Sequence, residues 1–222
     1  MKIIFYILTF ILGSSMVSFL TVLAYEFPKG EFLNLRRSQC DVCGKQLKWY
    51  HTVPILSYLL LKGKGYCCKK PINIVYPLSE FFGGMVFVLT IITEKNIPIV
   101  TSIFIMMTIF AFMDYFYGYI YPIFYLILLP SIIINFPNLH LISSLLIFST
   151  LHLLAYISKG LGFGDIEVLA LLTLLLGAEI ILKIIILACF LCLVHFLINK
   201  KRSFRFIPYL TISTGIVYLI FG

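Results

Sequence analysis

The chain has 222 residues, of which 61% are hydrophobic and 12% charged, and its mean hydropathy is +1.07. That composition excludes a soluble globular or disordered protein. The net charge of +8 would suggest nucleic acid in a soluble protein, but here it has to be read loop by loop, and no direct nucleic-acid contact is expected.

Apolar stretches near bilayer-crossing length recur along the chain. The expected fold is all-α: a polytopic membrane protein of about eight transmembrane helices, with one long cytoplasmic loop able to form a zinc ribbon. Three regions are expected: residues 1–25, the first transmembrane helix; 26–73, a cysteine-containing cytoplasmic loop; and 74–222, a transmembrane core. Lys2, the apolar run after it and Gly13-Ser14-Ser15 have a signal-peptide look. Apolar character resumes at Met16, so Ile3 to Ala24 reads as a retained span.

From Glu26 to about Asn73 the chain is polar and holds Lys29, Arg36, Arg37, Lys45, Lys48, Lys62, Lys64, Lys69 and Lys70. The positive-inside rule places this segment in the cytoplasm. Cys40 and Cys43 are separated by two residues, the spacing that lets two thiolates reach one tetrahedral ion. Cys67 and Cys68 follow, and adjacent side chains are expected to diverge. The expected metal set is therefore Cys40, Cys43 and Cys68, with the fourth ligand open between Cys67 and His51.

Further spans are expected at about Ile74–Thr93, with Gly83-Gly84 for close helix packing, and Ile97–Phe112, which delivers Asp114 at its inner end. The others are about Ile123–Phe136, Leu139–Ile157, Ile166–Leu176 (extending toward Glu179), Ile180–Ile198 and Ile207–Phe221. Between the fifth and sixth lies Lys159-Gly160-Leu161-Gly162-Phe163-Gly164-Asp165. Its alternating glycines suggest positive φ or close approach to a neighbour. This topology puts fourteen of the seventeen basic residues inside, and Asp114 and Asp165 at the same cytoplasmic depth.

Ionisable groups at a membrane boundary point to function. Two facing carboxylates suit aspartyl-protease chemistry, one as base on water and the other as acid on the scissile carbonyl. Asp165 opens a helix and Asp114 closes one, so the helix dipoles make Asp165 the base. An ion transporter also uses intramembrane carboxylates, though nearer the midplane and commonly with internal repeats. Glu80 reads as a cap or a substrate-orienting group, Glu167 as a solvated first-turn charge, His152 and His195 as hydrogen-bonding between helices, and Cys189 and Cys192 as packing residues.

Gly162-Phe163-Gly164-Asp165 matches the G-x-G-D motif of intramembrane-type aspartyl proteases. The whole chain resembles the type IV prepilin peptidases, the bacterial prepilin leader peptidase/N-methyltransferases. The resemblance includes Arg37-Ser38-x-Cys40-x-x-Cys43-Gly44, Leu47-Lys48-Trp49-Tyr50, Pro54-Ile55-Leu56-Ser57-Tyr58 and Tyr76-Pro77-Leu78-x-Glu80. It implies that Asp114 and Asp165 are the catalytic pair, supported by Gly162 and Gly164. It implies cleavage of a short basic leader from prepilins or pseudopilins at the cytoplasmic face of the bacterial cell membrane, and methylation of the new N-terminus from S-adenosylmethionine. The compact chain is similar to the competence-type enzymes. The implied partners are pseudopilin substrates, membrane lipid, and pilus, secretion or DNA-uptake machinery. A family peptidase without methyltransferase activity is the variant reading. Two departures stand out: Gly65 occupies the position of the family's third cysteine, and Pro122 is followed by Ile123 where the family usually has aspartate.

Overall fold

The structure, a computed structural model, describes residues 2–30, 38–40, 42–93, 96–158, 162–199 and 205–221. Arg36, Arg37, Lys95, the Lys159-Gly160-Leu161 half of the glycine turn and Lys200-Lys201-Arg202 lie outside the described residues. Among those described there are helices and isolated β-bridges but no strand. Nine α-helices are described: α1 (Lys2–Glu26), α2 (Leu56–Leu60), α3 (Val75–Ile92), α4 (Ile97–Tyr117), α5 (Leu129–Ile134), α6 (Leu141–Ser158), α7 (Phe163–Leu176), α8 (Ala178–Asn199) and α9 (Phe206–Phe221). The protein is an all-α polytopic membrane protein. Five of these helices (α1, α3, α4, α6 and α8) are long and apolar enough to cross a membrane.

The other apolar segments fall below that length, two of them for visible local reasons. Pro122 and Pro130 lack the N–H that a continuous helix needs, so the fourth segment is a 3-10 turn over Pro122–Leu128 followed by the six-residue α5. Helix α7 has 14 residues and stops at Gly177, whose φ is +81°. It therefore does not extend to Glu179, which opens α8 and pairs with Lys183 at 2.7 Å.

The chain divides into two compact units, Met1–Ile92 and Thr93–Gly222. In the first unit α1 and α3 pack against each other; the sequence division groups α3 with residues 74–222. Small residues set their approach: a Cβ on Gly13 would lie 2.8 Å from the Gly83 carbonyl oxygen, and one on Gly84 would lie 2.6 Å from Ser14 Oγ and from the Phe10 ring. Backbones this close gain dispersion contacts that apolar lipid cannot replace. Glu80 on α3 accepts a hydrogen bond from the Ile55 amide at 2.8 Å and one from Ser18 of α1. It fastens the cysteine-containing loop to both helices, rather than capping α3. Ile55 is held at φ +61°, a rare conformation for a β-branched residue that Glu80's hydrogen bond helps to maintain.

In the second unit α4 is the central element. Met106, Met107, Ile109, Phe110 and Met113 are all at most 1% exposed, whereas α6 buries none of its residues. The Thr211 hydroxyl of α9 donates to the Met107 carbonyl at 3.1 Å, and Ser102 meets Ser131 of α5. Ser144 of α6 donates to the Ala170 carbonyl of α7 at 2.8 Å. His195 on α8 bonds Tyr209 on α9, as expected of a polar group between helices; His152 instead contacts Phe148 O of its own helix.

Gly84→Leu should overpack the α1–α3 contact and cost about 1–3 kcal/mol. Thermal unfolding of the purified chain in detergent reads this as a lowered midpoint, and an unchanged midpoint would show that the two backbones do not approach.

Candidate active site and cysteine cluster

Asp114 lies in the last turn of α4, where its carbonyl accepts from the Gly118 amide at 2.9 Å and Gly118 takes φ +77° to end the helix. The residue is 8% exposed, and its Oδ2 is buried with no hydrogen-bond partner among the described residues. The Ile207 amide at the start of α9 donates to the carboxyl, and the Arg205 guanidinium acts on it electrostatically. Two chain segments distant in sequence, the end of α4 and the start of α9, thus meet at this acid.

Asp165 lies in the first turn of α7 and is half-buried. Its carboxyl is near enough to Asp114 for the two to interact electrostatically, and it accepts from the Gly162 amide. The structure brings together the two acids singled out in the sequence. Of the two uses expected of the glycines, close approach is the one observed. Gly162 has φ −73° and Gly164 is helical, so neither uses the left-handed region. They are needed for close approach: a Cβ on Gly162 would lie 3.2 Å from Asp165 Oδ2, and one on Gly164 would lie 3.0 Å from Ile120 Cδ1.

Two side chains beside the pair carried no sequence signal. Tyr125 lies within electrostatic reach of Asp165 and donates its hydroxyl to Glu167 Oε2 at 3.0 Å. Glu167 is therefore a bonded group on the bundle, not a solvated charge. Arg205 is one basic residue of a basic loop, and only the fold distinguishes it from its neighbours.

In the first unit, the Sγ atoms of Cys40, Cys43, Cys67 and Cys68 lie within 4.8 Å of one another. Adjacent thiols were expected to diverge, and here both converge. The reason is in the backbone of two similar turns. In the first, the Cys40 amide donates to Lys45 O at 2.9 Å and the Gly44 amide to Cys40 O at 2.8 Å; in the second, Gly65 donates to Lys70 O at 2.8 Å and Lys69 to Gly65 O at 3.0 Å. Gly44 (φ +68°) and Lys69 (φ +57°) occupy equivalent left-handed positions. Gly65 thus stands where Cys40 stands, and Cys67 supplies the missing thiol from two residues along. Cys40 and Cys68 are 3.7 Å apart and Cys43 and Cys67 3.1 Å apart. A tetrahedral ion with ~2.3 Å metal–sulfur bonds asks for sulfurs ~3.8 Å apart, so the four-thiol set fits zinc. His51 is not in the cluster; its ring stacks on Tyr66 at 4.0 Å. The amides of Val42 and Cys43 hold the Cys40 thiol down at about 6, whereas its hydrogen bond with Cys43 pushes Cys67 up to about 12.

The two units coincide with two sequence families. Residues 11–94 match the bacterial peptidase A24 N-terminal domain, and residues 101–197 match the type IV leader peptidase family. The prepilin leader peptidase/N-methyltransferase of Neisseria gonorrhoeae is 30% identical over 204 residues, which cover 82% of this chain and 70% of that protein. The chain belongs to the type IV leader peptidase family. A relative of the same name from Vibrio cholerae is 27% identical over 97% of this chain and 92% of its own length. The match to the Myxococcus xanthus relative, 37% identical over 38% of this chain, spans 25% of that protein. No solved structure matches.

The cluster should bind about one zinc per chain, measured by elemental analysis, and Cys67→Ser should lower that content. Binding requires the Cys67 thiol to lose its proton, so affinity should rise with pH and fall as pH drops toward 6, where Cys40 also protonates. Chelator competition at several pH values measures this. Removing the metal should raise hydrogen exchange across residues 38–72.

Proposed function

We propose that this chain is a membrane-embedded aspartyl endopeptidase that removes the leader peptide from prepilins or pseudopilins at the cytoplasmic membrane face. The observation that carries the reading is the convergence of Asp114 and Asp165, from two helices, in apolar surroundings. Its membership of the type IV leader peptidase family and its likeness to prepilin leader peptidase/N-methyltransferases support the same reaction.

Like charges this close are relieved by sharing one proton. Asp165, at the start of α7, takes a proton from water, and the resulting hydroxide attacks the scissile carbonyl carbon. Asp114, at the end of α4, gives its proton to the carbonyl oxygen. Collapse of the tetrahedral intermediate breaks the C–N bond; Asp165 returns its proton to the departing amine and Asp114 recovers one from the diol hydroxyl. The buried Asp114 Oδ2 has no hydrogen-bond partner among the described residues and can carry that proton, while the Ile207 amide and Arg205 act on the same carboxyl. Gly162 leaves Asp165 unobstructed.

Zinc held by Cys40, Cys43, Cys67 and Cys68 would be a closed structural site that staples the loop. S-adenosylmethionine would supply a methyl group for the new N-terminus. No methyl-transfer step is assigned to the loop residues. The competence system is the proposed setting on resemblance.

Asp114→Asn and Asp165→Asn, each folded in membranes, should lose cleavage of a prepilin substrate by about 10²–10⁴-fold or more. Gel shift measures cleavage and mass spectrometry of the product reads N-methylation. Normal cutting by either variant would overturn the two-carboxylate mechanism; cutting without methylation would leave a peptidase alone.

A further inference from the structure

Next to the acid pair, an open groove of about 440 Å³ runs between the 3-10 turn Pro122–Leu128 and helices α6 and α7. Pro122, Leu145, Phe148 and Leu171 give it apolar walls; Ser144, whose hydroxyl is taken up by the Ala170 carbonyl, Tyr125 and Glu167 are its polar members. Tyr125 joins this groove to the site already described, because it bonds Glu167 and lies within electrostatic reach of Asp165. Its ring is set edge-on against the fully buried Phe110, 5.0 Å between centroids, so its position is fixed by the core.

We propose that this groove binds the substrate chain, an apolar peptide segment near the scissile bond whose cationic side chain pairs with Glu167. The inference rests on the peptidase reading of Asp114 and Asp165. A carboxyl on an otherwise apolar membrane surface is costly unless something answers it. Tyr125 answers Oε2 only, and Glu167 has no other hydrogen-bond partner among the described residues. The remaining oxygen asks for a donor, and a positive one satisfies it best. A lipid tail would fill the walls and leave the acid unanswered. An extended peptide satisfies both features at once, with apolar side chains along Leu145 and Phe148 and a lysine or arginine at Glu167. Continuity through Tyr125 places that segment within a few residues of the bond to be cut.

The test uses the full chain in phospholipid vesicles. The probes are a synthetic prepilin-type peptide carrying one lysine ahead of an apolar run, and its copy with glutamate in place of that lysine. Glu167→Gln should raise KM for the lysine peptide about tenfold, the size of one lost charge-assisted hydrogen bond, and leave kcat within about twofold. Glu167→Lys should reverse the preference between the two peptides, which a merely structural glutamate would not do. Benzoylphenylalanine at Leu145 should crosslink to the peptide under light, while the same group at Leu146, outside the groove, should not. Crosslinking to lipid alone, or unchanged KM and selectivity in both Glu167 variants, overturns the inference. Wild-type chain that crosslinks the peptide at Leu145 but does not cut it supports the groove and defeats the peptidase reading instead.

Discussion

The second unit depends on keeping two acids in an apolar helical bundle without dispersing them into water. A carboxyl among Phe110, Phe112 and Met113, residues at most 5% exposed, needs polar compensation from the protein itself. Helix α4 supplies the rigid side of the arrangement, being the most deeply buried long helix. Its last turn is ended by Gly118, and the start of α9 brings an amide and a guanidinium to the same carboxyl. Helix α7 supplies the second acid from its first turn, where free backbone amides surround it. Each acid is therefore positioned by a helix end, and helix ends are where a membrane protein has backbone polarity to spare.

The acids were legible in the sequence because ionisable residues are rare in so apolar a chain, and the positive-inside rule led to the expectation that their helix ends share a side. Gly83-Gly84 was legible for a similar reason, since paired glycines in an apolar run have few uses other than close packing. The hidden features are those defined by the folded backbone. Nothing in the order Gly65-Tyr66-Cys67-Cys68 shows that two adjacent thiols converge; that requires knowing that Lys69 adopts the conformation of Gly44. The break in the fourth segment and the stop of α7 at Gly177 were missed because hydropathy counts apolar residues whether or not a proline or a glycine interrupts the helix. Tyr125, Arg205 and Glu167 are ordinary residues in sequence and acquire meaning only from what faces them.

The cysteine turns show how a four-thiol cluster can form from unequal sequences. The two turns keep the same hydrogen-bond pattern although only one keeps the full C-x-x-C spelling. The backbone presents a thiol-sized space toward the common centre, and more than one residue of the turn can reach it. The loop's shape is the persistent element, and the ligand positions are chosen from within it.

Helix α7 has one last consequence. Its 14 residues rise ~21 Å, against ~30 Å for the hydrocarbon core of a bilayer. Lipid beside α7 must thin, or a polar depression must reach inward to the helix end. Asp165 lies at that end. In the proposed mechanism this shortfall would supply a wet inlet where Asp165 needs water, and it would couple that acid to the thickness of the surrounding membrane.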